Sequence, residues 1–207
     1  MIISNEFNWL PPMVNPLDSH QEHKKTLSDL IDRFENDYDT LLMPGQANLD
    51  CEELPPILSS DYFVNNEIPR AWRDHFYAEV IQPLVFDTGV QLGLMPFDYF
   101  VHNAWFQRYL ETAEHSWHTH TGCQFSNVYF LELPDGEYVT EIKGPNGKLI
   151  EYSAKEGDVI TFPSYFLHRS KPNGKQRKSI ISFNTSYNHN DVYEPFEAHK
   201  TPFSLDR

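Results

Sequence analysis

The second half of the chain alternates short strand-forming runs with turn dipeptides, and this pattern restricts the possible folds most strongly. Residues 104–109, 126–131, 159–163 and 178–184 are rich in β-branched and aromatic side chains, the composition typical of strands. Asp135-Gly136, Asn146-Gly147 and Asn173-Gly174 predict hairpin turns between such runs. Eight or so short antiparallel strands with frequent turns predict a β-sandwich or jelly roll.

The first half of the chain predicts helices. Residues 1 to about 18 are expected to be extended, and Ser19 followed by Glu22 has the form of a capping box that starts a helix. A second helix is expected to begin at Pro69 and to bend or break near Pro83, because proline cannot donate the helical hydrogen bond. The apolar stripes of the two helices, at helical spacing, are Leu27, Leu30, Ile31 and Phe34, and Trp72, Phe76, Val80 and Ile81.

These patterns predict one mainly β domain with N-terminal helices. Residues 1–96 form a helical support region of that domain, residues 97–185 form the jelly-roll core, and residues 186–207 form a tail or a lid. The length of 207 residues is ordinary for one domain with a helical elaboration.

Charge and cysteine content narrow the class of protein. The net charge of -14 argues against binding to nucleic acid or to an anionic membrane surface, and no apolar stretch approaches membrane-spanning length. The N-terminus lacks the pattern of a signal peptide. Cys51 and Cys123 are far apart in the sequence, so a disulfide framework is not expected and a cytoplasmic location is predicted. Cys123 is interpreted as a small, buried apolar residue.

Three histidines form the strongest candidate for a functional site. His118 and His120 are two residues apart, so on a strand their imidazoles point to the same face. His168, on a later strand-like run, would complete a three-ligand site with positions left open for substrate, the arrangement of a catalytic metal. The neighbouring Glu114 and His115 are interpreted as exposed loop residues, and Trp105, Trp117 and Phe162 as core residues.

An arginine that could bind an anionic co-substrate follows the third histidine in the sequence. Arg177 follows His168 by nine residues, and a guanidinium matches a carboxylate bidentately. Arg177 and Ser179 would share one face of a strand by the same two-residue rule. Lys171 and Lys175, which flank the Asn173-Gly174 turn, are expected to be solvated.

Residues from about 103 to 184 resemble the 2-oxoglutarate and Fe(II)-dependent oxygenases, and most of all the group found in phages and marine bacteria. The resemblance rests on four motifs in the family's order: His118-Thr119-His120, the run Ser126-Asn127-Val128-Tyr129-Phe130, the run from Phe162-Pro163-Ser164 to His168, and the run from Arg177 to Ser182-Phe183-Asn184. Two positions depart from the family pattern. Asn127 replaces a glycine, and His120 stands where the family has a carboxylate.

The resemblance implies a double-stranded β-helix core, Fe(II) and 2-oxoglutarate as cofactors, and dioxygen as co-substrate. It implies that His118 and His168 bind iron and that His120 occupies the carboxylate's place, either as a ligand or beside a water. Arg177 would bind the distal carboxylate of 2-oxoglutarate with help from Ser179, and Tyr109 is a further candidate for that contact. The implied reaction couples decarboxylation of 2-oxoglutarate to hydroxylation of a small-molecule or peptidyl substrate.

Two alternatives remain open at this point. Three histidines also suit a cupin-like metal enzyme that does not use 2-oxoglutarate, such as a three-histidine dioxygenase or a zinc site that activates water. The third possibility is a non-catalytic jelly-roll module that has lost its chemistry through His120. The sequence indicates neither the substrate nor the oligomeric state.

Overall fold

The computed structural model describes residues 10–37, 41–43, 57–60, 69–94, 97–134 and 139–189. Cys51, the Asp135-Gly136 turn and residues 190–207 of the predicted tail lie outside these residues. The strands are β1 (Met13–Pro16), β2 (Leu41–Met43), β3 (Ile57–Ser59), β4 (Phe97–Tyr109), β5 (His115–His118), β6 (Phe125–Glu132), β7 (Glu141–Lys143), β8 (Asp158–Pro163), β9 (Leu167–Ser170) and β10 (Lys178–His189). The helices are α1 (His20–Asp37), α2 (Ala71–His75) and α3 (Gln82–Gln91), with a π-helical segment (Phe76–Ile81) between α2 and α3.

The strands form two antiparallel sheets. The large sheet has the order β1-β8-β6-β10-β4-β3-β2, and the small sheet has the order β5-β9-β7. Several neighbouring strands are distant in sequence, as in the pairing of β10 with both β4 and β6. The prediction of a mainly β fold with N-terminal helices and a jelly-roll core is therefore confirmed.

The large sheet is apolar on both faces because it lies between the helices and the small sheet. On β6, Tyr129 and Leu131 pack into a core with the helices. The alternate residues Val128 and Phe130 pack into a second core beneath the small sheet. Successive side chains of a strand point to opposite faces, so one strand contributes to both cores. The space between the two sheets is where a jelly roll can hold a ligand.

The helices follow the predicted stripes. α1 begins one residue after Ser19, and Leu27 and Ile31 are fully buried. The second helix begins at Ala71, two residues after Pro69, and is not broken at Pro83. Instead, the π-helical segment Phe76–Ile81 precedes that proline. A π-helical turn spaces the backbone more widely than an α-turn, which accommodates a proline that lacks the helical donor.

Both ends of the described chain are tied to the large sheet. β1 pairs with β8, so part of the N-terminal segment is a true edge strand. β10 continues to His189, four residues beyond the boundary predicted at residue 185, and Tyr187 is buried in the helix-side core. The pairing of β10 with β4 is interrupted by a register shift between Asn184 and Thr185.

Two of the three predicted turns can be compared with the structure. Asn146-Gly147 forms a tight turn as predicted, with Gly147 at a φ of 73° and a bridge between Lys143 and Leu149. The hairpin predicted at Asn173-Gly174 is wrong, because this segment connects β9 of the small sheet with β10 of the large sheet. The Asn173 side chain donates to the Tyr109 and Gln176 carbonyls, each at 2.9 Å, and these bonds hold the crossing in place.

Candidate metal centre

The structure brings His118, His120 and His168 together between the two sheets. One potential ligand atom from each lies within 4.8 Å of the others. His118 ends β5 and pairs directly with His168 on β9. His120 lies two residues beyond the end of β5, where its backbone N–H donates to the Ser164 carbonyl at 2.9 Å. The convergence therefore arises from a cross-strand pair and an anchored loop, not from strand alternation at both positions.

Each of the three imidazoles is oriented by a hydrogen bond from Nδ1. His118 Nδ1 lies 2.8 Å from the Ser116 carbonyl, and His168 Nδ1 lies 3.0 Å from the Phe166 carbonyl. His120 Nδ1 lies 2.8 Å from Asn184 Oδ1. Carbonyl oxygens only accept hydrogen bonds, so each Nδ1 carries the proton. Each Nε2 is then left with its lone pair, which is how metal-binding histidines are held.

The site keeps these imidazoles neutral. Burial lowers the pKa of His118 and His120. Burial also lowers the pKa of His168 to about 2, with the neighbouring His118 as the next cause. Metal binding requires neutral imidazole, so the three side chains are ready to act as ligands at neutral pH without losing a proton.

The histidines open into a cavity with an empty volume of ≈ 350 Å³, part of which is continuous with solvent. One wall is formed by the paired strands β4, with Trp105, Gln107 and Tyr109, and β10, with Ile180 and Ser182. The residues that β4 and β10 contribute occupy alternate positions of each strand, as expected for side chains that share one face of a sheet.

A polar cluster lies at one side of this cavity. Lys178 is 1% exposed, and its Nζ donates to Ser170 Oγ and lies 4.3 Å from the centroid of the Tyr109 ring. The Tyr109 hydroxyl donates to Gln107 Oε1 at 3.2 Å. Gln107 Nε2 is buried and has no hydrogen-bond partner. Since a buried donor without a partner is costly, this cluster is suited to an anion that accepts from it.

Burial dominates the electrostatics of Lys178. Burial, and after it the charge of Lys171, together lower the pKa of the ammonium group to about 7. A carboxylate bound beside Nζ would favour the charged form. The cluster can therefore gain a proton when an anion binds.

Arg177 and Ser179 do not join this cavity. The Arg177 guanidinium is 41% exposed and donates from Nε and Nη2 to the two carboxylate oxygens of Glu132, at 2.9 and 2.7 Å. Ser179 also donates to Glu132. Lys178, Ile180 and Ser182 occupy the alternate positions of β10, and Ile180 and Ser182 line the cavity. On β10, the cation on the cavity side of the strand is thus Lys178, one residue after Arg177, and Tyr109 lines the cavity.

The sequence reasoning missed three residues at the site. His115, interpreted as an exposed loop residue, begins β5 and lines the cavity with its ring centroid 4.1 Å from that of His118. The sequence pattern places Lys178 and Asn184 on a strand but assigns neither of them an individual role at the site. The alternation of Lys178, Ile180, Ser182 and Asn184 along the last strand was the available signal, but Ser179, Ile181 and Phe183 alternate equally well.

The aromatic residues near the histidines differ in their settings. Trp105 and Phe162 are buried as predicted, and the Phe162 ring meets the His168 ring edge-on at 4.8 Å. Trp117 is only partly buried and lies between Lys143 and Arg169, whose charged groups are 4.1 and 4.8 Å from its ring. The expectation that Trp117 is a core residue is wrong, because it points away from the cavity-facing side of its strand.

The donor set fits a transition-metal ion. Within the part of the chain that the structure describes, the cluster consists of three histidines and contains no carboxylate. Imidazole ligands suit iron, zinc, copper and nickel, and three protein ligands leave coordination positions open.

Solved structures with the same fold were found by comparison. A 2OG-Fe(II) oxygenase family oxidoreductase from Burkholderia pseudomallei aligns with a TM-score of 0.61 at 13% identity, over 84% of each chain. A prolyl-4-hydroxylase from Pseudomonas putida aligns with a TM-score of 0.52 at 15% identity, over 85% of this chain and 92% of that one. A prolyl hydroxylase from Trichoplax adhaerens, in complex with a hypoxia inducible factor peptide, aligns with a TM-score of 0.59 at 10% identity, over 84% of this chain and 82% of that one.

These likenesses define the class of fold. The protein has the jelly-roll fold of the 2-oxoglutarate-dependent Fe(II) oxygenases and carries a three-histidine cluster in its cavity. No family model matches the sequence, and no curated protein matches it either. No helix among the described residues is long and apolar enough to cross a membrane.

Proposed function

We propose that this protein is a 2-oxoglutarate-dependent Fe(II) oxygenase whose iron ligands are His118, His120 and His168. Lys178, with Tyr109, takes the role in binding the distal carboxylate of 2-oxoglutarate that the sequence assigned to Arg177 and Ser179. The observation that carries the proposal is the hydrogen bonding of the three imidazoles, each held through Nδ1. The fold shared with this class of enzyme supports the choice of iron over other metals.

The residues around the cavity have different roles in this proposal. The histidines hold the ion in one position, and an iron ion bound there supplies one-electron and dioxygen chemistry. The Lys178 ammonium is placed to donate to a carboxylate, and Gln107 Nε2 is a further donor that an anion can satisfy. The Tyr109 hydroxyl, which donates to Gln107 Oε1 in this structure, would turn to donate to the same anion. Ile180 and Val128 contribute apolar surface to the cavity.

The substrate is a peptide side chain or a small molecule that enters from the open side of the cavity. Support for a peptidyl substrate comes from the similar structures, two of which are prolyl hydroxylases. An epimerase from nogalamycin biosynthesis aligns equally well, with a TM-score of 0.59 at 11% identity, and supports a small molecule. The proposal therefore covers the reaction type for both substrate classes.

Succinate release tests the proposal without knowledge of the substrate. The protein is incubated with Fe(II), ascorbate, 2-oxoglutarate and air. An enzyme of the proposed class converts 2-oxoglutarate to succinate slowly even when no substrate is present to be hydroxylated. We expect succinate above the iron-free blank, and none from the His168→Ala variant. Wild-type protein that retains iron but releases no succinate, even after addition of proline-containing peptides and small apolar amides, contradicts the proposal.

A second function is favoured by one specific observation. The cluster contains three histidines and no carboxylate among the described residues, and His120 is held by Asn184. This donor set suits a three-histidine metal enzyme that does not use 2-oxoglutarate. In the leading proposal, His120→Asp preserves 2-oxoglutarate-dependent succinate release. In the alternative, wild-type protein binds metal but not 2-oxoglutarate, and His120→Asp does not create 2-oxoglutarate binding.

A further inference from the structure

Two histidines on different helices meet outside the cavity. His23 lies on α1 and His75 ends α2. His23 Nδ1 is 3.2 Å from His75 Nε2, and the ring centroids are 5.3 Å apart. Both side chains are partly exposed, so solvent and ions can reach them. These residues are separate from the group formed by His118, His120 and His168.

The distance between the two nitrogens matches that of two ligands on one ion. When two imidazole nitrogens each lie about 2.1 Å from a zinc ion, at tetrahedral or octahedral angles, they are about 3.0–3.4 Å apart. The observed separation of 3.2 Å falls in this range. The two helices therefore place the nitrogens before any ion binds, and little reorganisation is needed.

A carboxylate follows His75 in the chain and acts on it electrostatically. Glu79 follows His75 by four residues, a spacing that puts two side chains on the same helix face. Burial, and after it the neighbouring His23, lower the pKa of His75 below its ordinary value, and the negative charge of Glu79 acts in the opposite direction. The Glu79 side chain is exposed, so its carboxylate can turn towards an ion without breaking the core.

We propose that His23, His75 and Glu79 form a second binding site for a divalent transition-metal ion, independent of the ion in the cavity. Two histidines and a glutamate are a known donor set for zinc, with a water in the remaining position. The donating imidazole takes its other tautomer, with its proton on the distal ring nitrogen, so that both rings bind the ion as neutral ligands and tie α1 to α2. Since α1 and the π-helical segment both pack on the large sheet, the site stabilises the helical layer that supports the cavity.

The experiment measures zinc stoichiometry and thermal stability in four forms of the full chain. The forms are the wild type, the double variant His118→Ala/His168→Ala, and each of these with His23→Gln added. Glutamine keeps much of the size and polarity of histidine, so these chains are expected to fold. Glu79→Gln in the double variant serves as a second, milder probe of the same site.

The proposal predicts about two bound equivalents of Zn²⁺ in the wild type and about one in the double variant after dialysis. It also predicts that zinc raises the melting temperature of the double variant, because an ion that binds only the folded state stabilises it. His23→Gln should remove both effects, and Glu79→Gln should weaken zinc binding at least about tenfold. A double variant that binds no zinc, or that binds it unchanged after His23→Gln, overturns the proposal. Neither result bears on the function proposed for the cavity.

Discussion

His118 and His168 face each other directly across the pair of strands β5 and β9, with their ring centroids 4.1 Å apart. Their backbones are fixed by the small sheet, and their Nδ1 atoms are fixed by carbonyl oxygens. Both residues lie on paired strands, whereas His120 lies in the loop after β5. The small sheet therefore positions two of the three proposed ligands, and the loop residue His120 is the third.

Removal of either member of this pair should abolish metal binding in the cavity. We expect His118→Ala and His168→Ala each to retain one equivalent of iron less than the wild type after anaerobic dialysis, since only two protein ligands remain in the cavity. His102→Ala is the matched control, because His102 is exposed on β4 and donates to or accepts from Ser186 outside the cluster. Metal content measured by atomic emission distinguishes these variants, and iron retained at the wild-type level by His168→Ala would refute the assignment.

Asn184 should tune the affinity for the metal without binding it. Its Oδ1 accepts from His120 Nδ1 at 2.8 Å, and loss of such an outer partner typically lowers metal affinity by about 10–100-fold. We expect Asn184→Ala to show a decrease of that size in an anaerobic competition titration with a chelator. Asn103→Ala is the control, because Asn103 contacts Asn184 and not the histidine. Equal affinities in the two variants would mean that Asn184 does not position His120.

The affinity for 2-oxoglutarate should depend on Lys178 and not on the neighbouring Arg177. Lys178 is buried beside Tyr109, whereas Arg177 is exposed and paired with Glu132. Loss of one partner of a buried charge pair costs about 2–5 kcal/mol. Lys178→Ala should therefore raise the dissociation constant for 2-oxoglutarate at least about 30-fold, and Arg177→Ala should leave it nearly unchanged in calorimetry. The opposite ranking would restore Arg177 to the role that the sequence predicts.

The affinity for 2-oxoglutarate should fall at alkaline pH. Burial lowers the pKa of Lys178 to about 7, and a bound carboxylate raises it. Below pH 7 the ammonium is already charged in the free protein, so binding takes up no proton. Above pH 7 binding must take up one, and the affinity should decrease by about tenfold per pH unit. Lys178→Arg should abolish this dependence, because arginine stays charged.

Calorimetry in buffers of different ionisation enthalpy measures the proton uptake directly. We expect uptake of nearly one proton at pH 8.5 and almost none at pH 6. A wild-type affinity that is constant from pH 6.5 to pH 9 would show that Lys178 does not change its charge on binding.

The helical layer should be essential for stability. Phe76 is fully buried, and its ring packs against Tyr129 and Phe183 of the large sheet, at 6.0 and 5.5 Å between centroids. Phe76→Ala should lower the free energy of unfolding by about 3–5 kcal/mol, measured by urea denaturation. Phe86→Ala is the control, since Phe86 is 49% exposed and should cost less than about 1 kcal/mol. Similar losses in both variants would contradict this description of the core.

Much of the fold follows from local sequence patterns. The strand-forming runs and the helical stripes are local properties of the chain, and the runs at 126–131 and 159–163 lie within β6 and β8. Sheet order is not local. The error at Asn173-Gly174 arose because a turn dipeptide does not reveal whether its flanking strands pair with each other or cross to different sheets.

The candidate site was predictable only in part, because some of its features are local in the sequence and others depend on how the strands are arranged. His118, His120 and His168 stand out by residue type, and their convergence requires only that two strands pair. The choice between Arg177 and Lys178 depends on which face of β10 meets the cavity. That strand carries apolar residues on both faces, Ile180 on one and Ile181 on the other, so its period of two does not identify the inner face.

The central claim, that one cavity binds iron and 2-oxoglutarate together, is tested most directly by an anaerobic titration of the metal-free protein. Fe(II) and 2-oxoglutarate are added while the visible absorption is monitored for the charge-transfer band of the chelate. The account predicts a band that saturates near one equivalent of each and that is lost in His168→Ala and weakened in Lys178→Ala. Iron binding without any such band would contradict it and would favour a three-histidine enzyme that does not use 2-oxoglutarate.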